Sequence, residues 1–196
     1  MTPNDGQPIR KRMRRWEVPG GIRFVTFSCQ RRLPLLGNPA ICDLFATSLA
    51  AARRRHGFAL YAWVVMPEHV HLLVRPRSDA RLDDALRSLK TSIAKRVVAR
   101  WRELGAPVLS QITTSTGTVR FWQKGGGFDR NVRDLPEFCR EVRYIHRNPV
   151  ERELVVEPQT WRWSSVRWWM GLRDGEVECD PPPGDPRSWE RWKGYV

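Results

Sequence analysis

The run Met66-Pro67-Glu68-His69-Val70-His71-Leu72-Leu73-Val74 sets two histidines one residue apart in an apolar stretch with strand-like alternation. Side chains two apart on a strand leave the same face, so His69 and His71 present paired imidazoles. Such a pair is half of a metal site, or else two strand histidines with ordinary hydrogen bonds. A second segment, Tyr144-Ile145-His146-Arg147-Asn148-Pro149-Val150, offers a phenol and a carboxamide one helical turn apart. On a helical wheel Leu135, Phe138, Val142 and Ile145 form the buried stripe, which places Tyr144 and Asn148 together on roughly the opposite side. Two imidazoles and an Asn oxygen leave coordination positions open for phosphate oxygens and water, a set suited to Mg²⁺ or Mn²⁺ in phosphoryl transfer. No thiolate joins the set, which disfavours structural zinc. His146 falls near the apolar stripe and is expected in the core with a hydrogen bond. His56 is expected at a helix end, facing the terminal carbonyls.

Elements must hold these groups in place. Residues 22–29, 58–65 and 69–75 read as strands, the last two forming a hairpin around Met66-Pro67-Glu68. Asn38-Pro39 opens a helix to about Arg55, and Asp83 to about Glu103 forms a long helix with Leu86, Leu89, Ile93, Val97 and Trp101 on one face. Gly105 to Thr116 reads as loop and Val119 to Trp122 as a short strand before Gly125-Gly126-Gly127. The last helix runs from about Leu135 to Asn148, opened by Asp134 and Glu137 in capping-box spacing and ended by Pro149. The order βαββαβα predicts an α+β fold, a ferredoxin-like antiparallel sheet with helices packed mainly on one face.

Composition narrows the partner. The chain has 196 residues, 41% of them hydrophobic, a formal net charge of +13 and a pI near 10.7. One domain with a real core is expected, with a polyanion as partner, since phosphate neutralisation with counterion release drives such binding. No apolar run approaches spanning length, and the basic cluster near the start has no apolar segment after it, so no membrane partner is expected. Cys29, Cys42, Cys139 and Cys179 lack CxxC spacing, which fits a reducing, cytoplasmic setting. The 10 tryptophans serve either as core or as platforms for unpaired bases. Trp161 and Trp163 read as packing residues, Trp168 and Trp169 as candidates for stacking.

Three segments carry a family resemblance: Met66 to Val74, Phe121-Trp122-Gln123 with Phe128-Asp129-Arg130, and Tyr144 to Val150, extended by Trp161-Arg162-Trp163-Ser164-Ser165. In order and spacing they resemble the REP-associated tyrosine transposases, HUH single-stranded-DNA transposases with one catalytic tyrosine. The resemblance runs from about residue 16 to 169. It implies a metal-dependent DNA nickase and strand transferase, with His69 and His71 as ligands of Mg²⁺ or Mn²⁺ and Tyr144 as nucleophile. Asn148 would be the third ligand, where many relatives carry Gln. Glu68 stands where Asn is often found, and either supports the histidines from behind or faces solvent.

Further expectations complete the reading. Residues 1–15 form a basic flexible arm, 16–169 the catalytic domain and 170–196 a Trp/Pro-rich tail. Arg10, Lys11, Arg12, Arg14 and Arg15 would grip a hairpin stem or an unpaired guide segment. Arg87, Lys90, Lys95 and Arg96 would meet phosphates or form a solvated helix face, and Lys124 and Arg130 flank a glycine run where backbone and nucleic acid approach closely. The partner would be single-stranded or hairpin DNA, with no small-molecule cofactor, bound by a monomer or homodimer. Two other readings are a non-catalytic nucleic-acid-binding module and a metal-dependent nuclease that uses water.

Overall fold

Alternation along β1 (Arg23–Ser28) sends Val25 and Phe27 to one face of a sheet and Phe24 to the other, and each face buries its own core. The computed structural model describes residues 18–125, 127–175 and 177–184. The basic cluster Arg10 to Arg15 lies outside the described residues. A four-stranded sheet has the order β2-β3-β1-β4, with β2 (Ala59–Val65), β3 (His69–Arg75) and β4 (Phe128–Asn131). Every pairing is antiparallel. The predicted α+β architecture is the one observed. α1 (Pro39–His56) and α2 (Leu82–Glu103) cover the Val25 and Phe27 face, and α4 (Leu135–Glu151) lies on the Phe24 face.

Local chemistry sets the helix ends. Asn38 accepts from the Ala40 N–H at 2.9 Å to open α1, and Gly57 closes it in the left-handed conformation at φ 64°. His56 is the last residue of α1, as expected. Asp134 caps α4 by accepting from the Glu137 N–H at 2.7 Å. The Glu137 carboxylate reaches back one residue further than a capping box requires, to the Arg133 N–H at 2.7 Å.

Four local expectations need correction. Pro149 does not end α4 but sits inside its last turn, because a proline removes one hydrogen bond and the Arg152 N–H still reaches the Asn148 carbonyl at 3.1 Å. Within the stretch read as loop, Val108–Ile112 forms a short helix, α3, anchored by buried Ile112. Val119 to Trp122 makes only isolated bridges, Thr113 to Val119 and Cys29 to Trp122. The fourth strand is instead the polar Phe128–Asn131, held by ion pairs on both faces. Arg23 of β1 grips Asp129 at 2.8 Å on one side, and Arg130 grips Glu137 and Glu141 of α4 on the other. Finally, Leu135 is exposed and does not join the buried stripe.

The segment after α4 closes the β2 edge. Ser165 N–H donates to the Trp63 carbonyl and Val65 N–H to the Trp163 carbonyl, each at 2.9 Å, which masks an otherwise open strand. Trp161 and Trp163 pack there as expected. Trp169, at the end of α5 (Val166–Trp169), is buried and donates to the Tyr61 carbonyl at 2.9 Å, so it is a core residue and offers no face to a base. Val177 and Cys179 also join the core, and Asp180 accepts from the Leu60 N–H at 2.7 Å and from Arg53 at 2.8 Å. The folded unit therefore extends past Trp169.

Candidate active site

The register of the sheet decides what stands beside the histidines. His71 pairs with Thr26 and His69 with Ser28, and both imidazoles emerge on the α4 face, 2.9 Å apart between their Nε2 atoms. Both rings are buried. Burial lowers the pKa of each; for His71 burial and the neighbouring His69 bring it down to about 3. Neutral imidazoles with free lone pairs are what metal coordination needs.

The tautomers follow from the outer partners. The Glu68 carboxylate accepts from His69 Nδ1–H at 3.0 Å, which leaves His69 Nε2 as a lone pair. The Thr26 hydroxyl lies 2.7 Å from His71 Nδ1 and serves either tautomer, since a hydroxyl both donates and accepts. When it accepts from Nδ1–H, two Nε2 lone pairs converge on one point. Glu68 thus stands behind His69 and is not a solvent-facing residue. Arg152, at the end of α4, also donates to the same Glu68 oxygen at 3.2 Å and ties the helix to the hairpin.

α4 brings the remaining groups. Its buried positions include Glu137, Glu141, Ile145 and Asn148, so the polar stripe Glu137, Glu141, Tyr144, Asn148 flanks the apolar one and is not opposite it. Tyr144 is 41% exposed while Asn148 is 4% exposed: the phenol borders solvent and the carboxamide points inward. The Tyr144 ring meets His71 edge-on, with centroids 5.1 Å apart, and Phe24 at 5.9 Å. Phe24 stacks on His71 at 5.5 Å and fixes the imidazole plane from the other side. Asn148 Nδ2 lies 3.4 Å from His71 Nε2, and its Oδ1, buried, has no hydrogen-bond partner among the described residues. A buried amide oxygen left unpaired beside two imidazole lone pairs fits a divalent cation, with a simple amide flip presenting the oxygen. Among the described residues no three His, Cys, Asp or Glu side chains cluster as a metal site, and the nearest further oxygen donor to the two imidazoles on α4 is the Asn148 amide.

His146 is fully buried and hydrogen-bonded to Ser165 Oγ at 2.8 Å, away from this cluster. The remaining predicted contacts scatter. Arg130 is engaged by Glu137 and Glu141 and lies over the Phe24 ring at 5.6 Å, which makes it a clamp on α4. Arg87, Lys90 and Lys95 lie along α2, on the side of the sheet away from the histidines. Lys124 is exposed beside the glycine run. Sequence reasoning missed Thr26, Phe24 and Arg152. Pairing the two strands on paper would have found Thr26, but Arg152 reaches Glu68 only through the tertiary fold.

Paired strand histidines and a tyrosine-bearing helix packed on the same face of an antiparallel sheet define the HUH class of single-tyrosine transposases. Residues 22–124 match the family described as "Transposase IS200 like", and the chain belongs to that family of enzymes. It is similar to the REP-associated tyrosine transposase of Escherichia coli (strain K12), 27% identical over 153 residues, 78% of this chain and 80% of that one. A solved structure of a REP-associated tyrosine transposase bound to a REP hairpin shares the fold. Its TM-score is 0.63 at 23% identity, covering 88% of this chain and 93% of the other. The family resemblance carried by the motifs is borne out.

Proposed function

We propose that this enzyme nicks and rejoins single-stranded or hairpin DNA of the REP-like palindromic kind through a 5′-phosphotyrosine intermediate. The observation that carries the reading is the Tyr144 ring held edge-on against His71 at 5.1 Å, with the two histidine Nε2 atoms 2.9 Å apart. His69, His71 and Asn148 would hold Mg²⁺ or Mn²⁺. A bound ion of this kind polarises the scissile phosphate and offsets its developing charge.

The chain's own residues do the rest. Tyr144 Oη forms a bond to phosphorus as the bond to the 3′ oxygen breaks. The phenol proton passes to solvent, which reaches the exposed ring, and the departing oxygen takes a proton from water to become a 3′-OH. The ester bond is conserved, so a 3′-OH can reverse the attack and join strands with no other energy source. Thr26 and Glu68 hold the imidazole orientations, and Arg152 steadies Glu68. Arg10, Lys11, Arg12, Arg14, Arg15 and Lys124 would contact DNA phosphates, a role that their charge supports in a chain of net charge +13. Four free cysteines accord with a cytoplasmic enzyme, and among the described residues no helix is long and apolar enough to cross a membrane.

The test is a denaturing gel of end-labelled hairpin DNA incubated with protein and Mg²⁺ or Mn²⁺. A protein-linked strand that disappears in Tyr144→Phe is expected. Cleavage without an adduct in Tyr144→Phe would replace tyrosine with water as the nucleophile, and binding without cleavage would leave a nucleic-acid-binding module.

A further inference from the structure

On the sheet face away from the histidines, a groove of about 580 Å³ runs between α2 and the β1–β4 edge. Its floor is Val25 and Phe27, and its walls include Lys90, Lys95, Trp122 and Gly127. Lys90 Nζ stands 5.3 Å from the centre of the Phe27 ring and 6.0 Å from that of Trp122. Trp122 is fixed by its own Nε1–H donating to the Lys90 carbonyl at 2.8 Å, and its ring meets Phe27 edge-on at 5.1 Å.

The charges in this groove do not balance internally. Of its two acids, Asp129 is held by Arg23 at 2.8 Å and Asp83 lies 3.9 Å from Arg81. Among the described residues no carboxylate pairs with Lys90 or Lys95. Burial pulls the Lys90 pKa down, which is the signature of an ammonium that has lost water and gained no acid. Aromatic faces return only part of that loss. Gly127 adds backbone to the wall, and it is glycine because it packs directly on β1: a Cβ there would fall 1.2 Å from the Thr26 carbonyl oxygen. A basic groove lined by aromatic side chains is the chemistry of a single-strand subsite. A volume within the small-ligand range of about 300–1,000 Å³ suits a short unpaired segment and excludes a duplex.

We propose that this groove is a second DNA subsite that takes an unpaired strand, with a backbone phosphate on Lys90, Lys95 at its rim and a base beside Trp122. The proposal rests on DNA being the ligand of this enzyme, but not on the chemistry of Tyr144. It would let the protein hold an unpaired stretch on one face while the paired histidines face another.

The experiment uses the full chain carrying Tyr144→Phe, so that no adduct forms. Fluorescence anisotropy measures affinity for an unstructured oligothymidine and for a closed hairpin with no unpaired overhang. Lys90→Met, which keeps the apolar stem, is expected to weaken oligothymidine binding about tenfold and to flatten its log K against log salt slope by about 0.7. Hairpin affinity is expected to stay within about twofold. Lys95→Gln, at the rim, gives a smaller loss of the same kind and serves if Lys90→Met melts early. Unchanged oligothymidine affinity in both variants, or an equal loss on both DNAs, overturns the subsite. Loss of all DNA binding by the parent protein removes the reading it rests on. An intact groove with no adduct in the unmutated enzyme removes only the tyrosine mechanism.

Discussion

Replacing Arg130 with Met should loosen the helix that carries Tyr144. The Glu137 and Glu141 side chains are only 4% and 11% exposed, and both are gripped by this one guanidinium, itself 31% exposed. Removing one partner of a buried pair costs about 3–5 kcal/mol. Solvent reaches a third of the guanidinium, and Arg133 still contacts Glu137 at 3.3 Å, so the loss is discounted to about 2–3 kcal/mol. For a chain of this length that is a fall of roughly 4–12 °C in Tm. Burial alone would raise the Glu137 pKa, but the Arg133 N–H and the Arg130 and Arg133 guanidiniums outweigh it and hold the carboxyl below its ordinary range. A depressed carboxyl stabilises the fold above its unfolded pKa of about 4.3 and loses that contribution as pH falls through the lower folded value. The gap between parent and variant should therefore be full near neutral pH and narrow in strong acid. Circular dichroism melts at several pH values measure it, and adduct formation well below both midpoints reports on Tyr144. A Tm change under about 1 °C would show that the clamp carries nothing, and an unchanged adduct rate would show that apolar packing alone places the helix.

Two further outcomes are expected. His69→Ala should abolish the DNA adduct, and EDTA should do the same to the parent until Mg²⁺ or Mn²⁺ is restored, while hairpin affinity stays within about twofold by anisotropy; adduct formation that survives both changes would remove the metal site. Acid should unfold the metal-free protein early, because burial brings both His71 and His146 down to about 3. The unfolded chain takes up those protons near pH 6.5 and the folded one does not, so stability declines below that value by about 1.4 kcal/mol per pH unit for each histidine until pH nears the folded values. Urea midpoints from pH 7 to 4.5 measure the slope, His146→Gln should reduce it, and a flat parent profile would contradict the burial argument.

Periodicity made the long elements readable. The alternation of His69 to Arg75 and the stripe of Leu89, Ile93 and Val97 are signals of burial, and burial is what those elements achieve. β4 escaped because Phe-Asp-Arg-Asn has no such signal: it is a strand on account of ion pairs to Arg23 and α4, which arise only after the chain has folded. Val119 to Trp122 had strand composition but lies beside the end of β1, where the Gln123 N–H meets the Ser28 carbonyl at 2.9 Å. In the site, His69, His71, Tyr144 and Asn148 were legible as candidates from residue types and spacing, and the fold brings the four together. The orientation of the helix was not. Its acids Glu137 and Glu141 look like surface residues in sequence and are in fact the polar half of its buried face.

The separation of the site along the chain has a consequence for how such an enzyme comes into being. The histidine hairpin is made early, and the helix bearing Tyr144 arrives some 73 residues after His71, once β4 has closed the sheet edge. If Tyr144 is the nucleophile as proposed, a ribosome-bound fragment ending before α4 owns half a catalytic centre and no nucleophile. On the same mechanism, the polypeptide is harmless to the genome until α4 has been made and becomes a cutter of DNA only when that helix docks.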